Sequence, residues 1–475
     1  MAPLFSIPRT IVCAFLTIIT PVALSSCTEA SESPQQKARY SDPAQSTAAR
    51  RIKRRSLPIS PGLIGFGTKT PAGSGRHLRP PRSRIIRVTS VADYGPGSLR
   101  ACVEAREPRT CIFEVSGEIS VSRPLRIRSP YITIAGQTAP APGITVSHGG
   151  IQVQTHDVFI QHIAVRPGDF REGVPPAERD GISIGSPAPR SAFRVVIDHV
   201  SLTWAIDENI STWDPSTRDI TITNSIIAEG LHNSIHPKGP HSKGIMIGDG
   251  TRNVTLRRNL IASNEERNPY LKPGSATEMI NNVVYNWGPR GGWSLCNLSN
   301  NDGSEVPVTL SFIGNSYIPG PRSFFAPPIY AKNLAPGSRI YVRDNRWGYA
   351  PMGANSPWAI TSIPEAYYRA PNPPLRSSPA AELSADAAYQ TVRRTAGSRP
   401  RHRDAVDSRI VTEVATRTGG LKDCLAGCAR SVGGWPHIPT RRRALRPPYR
   451  PFADTNRDGY TNLENWLHRL AKRVQ

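Results

Sequence analysis

Short runs of alternating apolar and polar residues recur along most of the chain. Alternation over four to eight positions is the mark of a half-buried strand. Such runs stand at 131–136, 158–162, 195–199, 220–224, 254–259, 279–282, 310–315 and 340–345. Most close on an imidazole or an amide at nearly the same place: His162, His199, Asn224, Asn259, Asn282, Asn315 and Asn345. They recur at intervals of about 23 to 37 residues, and periods of roughly 20–50 residues mark solenoids. No helical periodicity intervenes, so the pattern predicts an all-β chain wound as a parallel β-helix, with loops inserted in some coils. Asparagine tolerates the left-handed backbone of a sharp corner, and its amide can bond the coils on either side. The Asn row is therefore expected to be structural, as are His162 and His199, the latter read as a residue inside its strand.

The flanks read differently. A short helix at 101–105 is expected to cap the first coil, which has no neighbour to cover its core. The solenoid itself is assigned to 61–350. Residues 351–450 are rich in Pro and Arg and predict an irregular C-terminal arm, with one helix at 407–416. Residues 451–475 carry Asp454, Asn456, Asp458, Gly459 and Asn462 at the spacing of a calcium loop. Position 12 of that loop is Asn465, with Glu464 one residue early, so it reads as a degenerate EF-hand-like loop followed by a terminal helix.

Arg9 precedes an apolar run from Ile11 to Leu24, too short to span a bilayer but suited to a signal-peptide core. The run ends at Leu24, Ser25, Ser26 and Cys27, which resembles a lipoprotein cleavage box. Residues 1–26 are thus expected to be a lipoprotein-type signal, Cys27 the lipidated residue, and 27–60 a flexible tether. An exported protein, secreted or anchored at the outer membrane or cell surface, is permitted disulfides. Cys102 with Cys111 and Cys424 with Cys428 are close enough to pair, leaving Cys296 over. The formal net charge of +23 sits in arginine clusters at 50–55, 76–87, 393–403 and 441–450. For an exported protein this field suits an anionic polysaccharide better than nucleic acid.

The candidate chemistry lies between 178 and 285. Asp198 and His199 end one strand; Asp207 and Glu208 follow; His236, Lys238, His241 and Lys243 come next; then Glu266, Arg267, Asn268, Pro269 and Lys272, and finally Asn281 to Tyr285. The Asp198-His199 strand, the 266–269 turn and the 281–287 segment together resemble bacterial pectate lyases of polysaccharide lyase family 1. Gly65 to Gly67, Gly95 to Arg100 and Gly433 to Pro436 resemble pieces flanking that domain. The resemblance implies a right-handed parallel β-helix that cleaves polygalacturonate by calcium-dependent β-elimination. It implies calcium ligands at Glu178, Asp180 and Glu208, with Asp207 adjacent, and a catalytic arginine at Arg267. It further implies Lys243 and Lys272 as substrate-binding cations, with His241 and Lys238 as neighbours on the same face. The family's last acidic ligand falls on Thr212, leaving Asp207 or Asp214 to substitute. Calcium would stabilise the negative charge that grows when the C5 proton of a uronate leaves.

Two other readings stay open. A β-helix hydrolase needs two carboxyls facing each other across the glycosidic bond, whereas Asp207 and Glu208 are consecutive. A non-catalytic β-helix binding polysaccharide or surfaces through its basic face is the other. A capped solenoid is expected to be a monomer.

Overall fold

The computed structural model describes residues 57–186, 191–288, 306–323, 327–331, 334–348, 356–379, 382–423 and 435–475. The signal, Cys27, most of the tether, Cys296, Cys424 and Cys428 lie outside the described residues. All described residues belong to one compact unit, 48–475. No described helix is long and apolar enough to cross a membrane.

The described strands form three parallel sheets of ten, six and nine strands, stacked coil on coil. Alternation decides which side chains face inward. In the ten-stranded sheet Ile134, Ile160, Ile197, Ile222, Leu256, Met279, Phe312 and Val342 stand in register, each above the last. All belong to one continuous buried cluster. Burying such side chains stabilises the fold by roughly 1.5–3 kcal/mol each. Residues 114–116 make the bend between the strands Arg109–Phe113 and Gly117–Ser120.

From the strand Val158–Gln161 onward, the corner after each strand of this sheet holds a left-handed residue: His162, His199, Asn224, Arg258, Asn281, Gly314 and Asp344, with φ between 49° and 62°. The next position carries the amide ladder. Asn259 Nδ2 donates to Asn282 Oδ1 (3.1 Å), Asn282 Nδ2 to Asn315 Oδ1 (3.0 Å) and Asn315 Nδ2 to Asn345 Oδ1 (2.8 Å). Asn224 belongs to the corner row instead, and Ser225 occupies the ladder position, its N–H donating to Asn259 Oδ1. His199 likewise sits at a corner, just past the strand Phe193–Asp198, and not within it.

His162 is fully buried, stacked on His199 at 5.0 Å, and its Nδ1 lies 2.7 Å from the Ser398 carbonyl, so Nδ1 carries the proton. Burial, reinforced by the neighbouring His199, pushes its pKa down to about 3. The ring is neutral when folded, but in the unfolded chain it takes a proton near the ordinary imidazole value. Its contribution is therefore complete above pH ~6.5 and drains away as pH falls toward 3. Between pH 7 and pH 5 this amounts to about 2 kcal/mol. Urea midpoints at the two pH values should show that loss in the wild type and a smaller one in His162→Asn, whose side chain tolerates the corner. Equal losses in both proteins would remove His162 as the source.

The helix Leu99–Glu104 covers the first coil, burying Leu99, Cys102 and Val103 in the main core, and the Cys102–Cys111 disulfide is formed. In the C-terminal segment the helix Ala405–Thr416 is joined by a second, Ala385–Thr395, that sequence reading missed. Val392, Ala396, Val406, Ile410 and Val414 pack on Ile226, Ala228, Leu260 and Val283 of the nine-stranded sheet. Buried Arg166 pairs with Asp404 (2.7 Å) and Asp407 (3.1 Å) from this segment. The last helix, Asn462–Val474, places Leu463 and Leu467 against Ile112 and Ala135. Glu464 pairs with Arg76 and closes a capping box with Thr461. It is committed to the helix start, while Asn465 donates its amide to Asp458 (2.9 Å) within the calcium-like loop.

Candidate active site

The six-stranded sheet positions the candidate residues. Its inward rows are Leu125, Ile151, Ile182, Ile210 and Ile245, then Ile127, Val153, Ile184, Thr212, Ile247 and Leu271. Between them, pointing the other way, Arg126, Gln152, Ser183, Ser211, Met246 and Tyr270 form one transverse outward row. Thr212 explains the absent acidic ligand. It is fully buried, in register with Ile184 and Ile247, and its hydroxyl accepts from the Gly248 N–H (3.1 Å). A carboxylate there would point into the core.

Asp207 stands with the other carboxylates instead. One oxygen from each of Asp180, Asp207 and Glu208 lies within 4.8 Å of the other two. Asp180 Oδ2 accepts from Ser211 Oγ (2.7 Å). Burial, and then the neighbouring Asp207 charge, push Asp180 up to about 7. Burial works to raise Asp207 too, but the hydrogen bond from His241 (2.8 Å), with His236 and Arg267 behind it, holds it below the usual range. His236 stacks on His241 at 3.9 Å; its Nδ1 accepts from the Lys238 N–H, so its proton sits on Nε2, 3.9 Å from Asp207. Three carboxylates brought together, one of them driven toward neutrality by burial and then by the Asp207 charge, form a donor set suited to a hard divalent cation.

Glu178 is not part of this group. It ends the turn Pro176–Glu178, half exposed, and its nearest cation is Arg126 at 3.9 Å. The cause is Arg179, which is buried and donates to the carbonyls of Gly168 (3.1 Å), Phe170 (2.6 Å), Glu172 (2.9 Å) and Val174. Anchoring Arg179 inward turns Glu178 out to the rim of the cleft that Asp180 and Asp207 line. That cleft encloses about 120 Å³ and is also lined by Gln152, Ser183 and Trp213.

Arg267 pairs directly with Glu208, which is buried at the first residue of the strand Glu208–Thr212. Its backbone is left-handed (φ 63°), and its carbonyl accepts from the Ile245 N–H (2.6 Å). Behind the turn Asn209, Asn264 and Asn268 form a buried amide chain (3.0 and 3.1 Å) that fixes it from inside. Asn268 lies in the 266–269 turn, whereas no motif pointed to Asn209 or Asn264. Burial pulls the Arg267 pKa below the usual arginine range, against Asp207, Tyr270 and Asp180. Contact with Glu208 acts on the same side as those anions and keeps the guanidinium charged in the pair.

Lys243 stands in register with Glu208 and donates to Glu266 (2.5 Å); Lys272 pairs with Asp249. His241 joins the site through Asp207. Lys238 is exposed and meets it only through its backbone bond to His236. Trp213, absent from the sequence reading, lines the cleft, and Ser211 joins it through the bond from the Trp213 indole; their spacing of two was the available signal.

No family model matches the chain. Among curated proteins it is 30% identical over 441 residues to "Probable pectate lyase C" of Aspergillus fumigatus, covering 88% of this chain and 94% of that protein. It is 36% identical over 269 residues to the Emericella nidulans protein of the same name, covering 56% of this chain and 55% of that one. Among solved structures, the cedar pollen allergen jun a 1 covers 70% of this chain and 92% of its own at 18% identity and a TM-score of 0.48. The two curated relatives are fungal, so they do not carry the bacterial origin that the motif resemblance suggested. With close to a third of its residues shared along nearly the full length of a relative, and with the parallel coils to match, the chain belongs to the pectate lyase family.

Proposed function

We propose that this enzyme cleaves polygalacturonate by calcium-dependent β-elimination, leaving an unsaturated uronate at the new chain end. The observation that supports it most is the grouping of Asp180, Asp207 and Glu208, with Arg267 paired to Glu208. Asp180, Asp207 and Glu208 would hold the cation, with Glu178 at the rim. Bound calcium would supply Lewis-acid stabilisation of the enolate-like charge that grows at the C6 carboxylate.

The chain's own groups do the rest. Lys243 and Lys272 offer point charges to substrate carboxylates. Arg267 takes the C5 proton. Arginine is a poor base unless its pKa falls, and burial acts in that direction. The base is the neutral guanidine: with the charges of Asp180, Asp207 and Glu208 all neutralised, the fields that hold a proton on Arg267 weaken, and that proton leaves to solvent before the C5 proton is taken. The protein is read as exported, with a lipid on Cys27, from the sequence alone.

The test is incubation with polygalacturonate in calcium or in chelator. Elimination gives new ultraviolet absorbance with calcium and none with chelator. A second reading draws on the opposite pKa displacements of Asp180 and Asp207, an arrangement suited to an acid and base pair. Reducing ends without absorbance would select that hydrolytic reading and discard elimination.

A further inference from the structure

Trp213 is one of few large apolar side chains left exposed among the described residues, at 38%. It lines the same cleft as Asp180 and Asp207. Its backbone is held firmly: Trp213 N–H donates to the Ile184 carbonyl (2.8 Å), and its carbonyl accepts from Thr217 Oγ1 (2.6 Å). Its indole is held too. Nε1 donates to Ser211 Oγ (2.9 Å), and Ser211 Oγ donates onward to Asp180 Oδ2 (2.7 Å). The directions agree, since the serine hydroxyl accepts one hydrogen and gives its own.

An indole anchored by its N–H, with ring surface open to a cleft, is amphipathic in a way that suits a sugar. The polar edge is satisfied by protein, and the face is free for the C–H groups of a pyranose ring. The charges around it select which sugar. Lys243 opens the strand next to that of Ser211, Lys243–Ile247, and Arg267 and Lys272 flank the following one, Tyr270–Leu271. Each already pairs with a carboxylate, Lys243 with Glu266, Arg267 with Glu208 and Lys272 with Asp249. The sugar that can compete for them is a uronate, which presents a carboxylate and an apolar ring face together.

We propose that Trp213 is a stacking platform for one galacturonate ring beside the carboxylate cluster, with Ser211 as the positioning residue that sets the indole plane against Asp180. The inference rests on the pectate reading above and adds a subsite to it. The relay makes ring placement and the orientation of Asp180 depend on one hydroxyl.

The test uses the full chain, polygalacturonate for kinetics and trigalacturonate for binding. Trp213→Ala should raise KM about tenfold, the scale of one lost aromatic contact, with kcat changed less than about twofold. Trp213→Phe should recover most of that loss, because a ring remains. Trigalacturonate should change the intrinsic tryptophan fluorescence saturably in the wild type and not in Trp213→Phe. In Ser211→Ala, where the indole has lost its anchor, the change should come only at a several-fold higher half-saturating concentration. Half-saturation in Ser211→Ala equal to that of the wild type removes Ser211 as the positioning residue. An unchanged KM in Trp213→Ala, or a fluorescence change that persists in Trp213→Phe, overturns the platform. If the wild type binds trigalacturonate through Trp213 without eliminating it, the platform stands and the lyase reading fails. If the wild type neither binds nor cleaves, both fall.

Discussion

Replacing Arg267 should cost about 10²- to 10⁴-fold in the rate of unsaturated product formation, the range expected when a proton-transfer group is lost. Two variants are needed because Glu208 is buried and paired to this guanidinium. Arg267→Ala leaves that carboxylate without its partner, which destabilises a protein by roughly 3–5 kcal/mol. Arg267→Lys keeps a cation for Glu208 but replaces a planar fork with a point charge. Both should lose turnover, while the lysine variant keeps the thermal midpoint close to that of the wild type. Near-normal turnover in Arg267→Lys at an unchanged midpoint would reduce Arg267 to a charge partner and move the base elsewhere.

The second large effect concerns the cation. Asp180→Asn is nearly isosteric and keeps an acceptor for Ser211, yet it removes a charge from a cluster of three. Partners that merely orient metal ligands are worth about 10- to 100-fold in affinity, so loss of a ligand charge should raise the calcium needed for half-maximal rate by at least on the order of 100-fold. Glu178→Gln supplies the contrast. Its position at the rim, next to Arg126, predicts a shift of about threefold or less, smaller than the loss of even one orienting partner. Calcium titrations of the rate and calorimetry of the two variants would decide. Equal shifts would put Glu178 in the cluster at the expense of the assignment made from geometry.

Much of the architecture was legible because it repeats. A strand that alternates and then turns on Asn or His leaves the same signature each time, so coil after coil confirmed the pattern, and the amides of Asn259, Asn282, Asn315 and Asn345 fell where a ladder needs them. What repeats once was harder. The helix Ala385–Thr395 lies in a stretch whose prolines and arginines hid its 3.6-residue period. Glu178 and Asp180 are two apart and read alike as ligands, but a buried arginine between them sends one outward. Thr212 could be matched to an acidic position, yet only strand register reveals that its side chain faces the core. Trp213 carries no motif; its meaning comes from Ser211 and Asp180, which reach it through space.

The transverse row from Arg126 to Tyr270 has a consequence for how substrate preference can change. Neighbouring parallel strands lie about 4.8 Å apart, so a polymer lying along the solenoid axis meets one new side chain at each step, like a cursor moving down a ruler. Each mark is set by a single residue of a single coil: Gln152, Ser183, Ser211, Met246. Because a coil contacts chiefly the coils on either side, altering one mark recalibrates at most its neighbours: Arg126 is bonded to Gln152, and Ser211 holds both Asp180 and Trp213. Selectivity along a bound chain is thus divisible into local steps, each spanning a coil and the next.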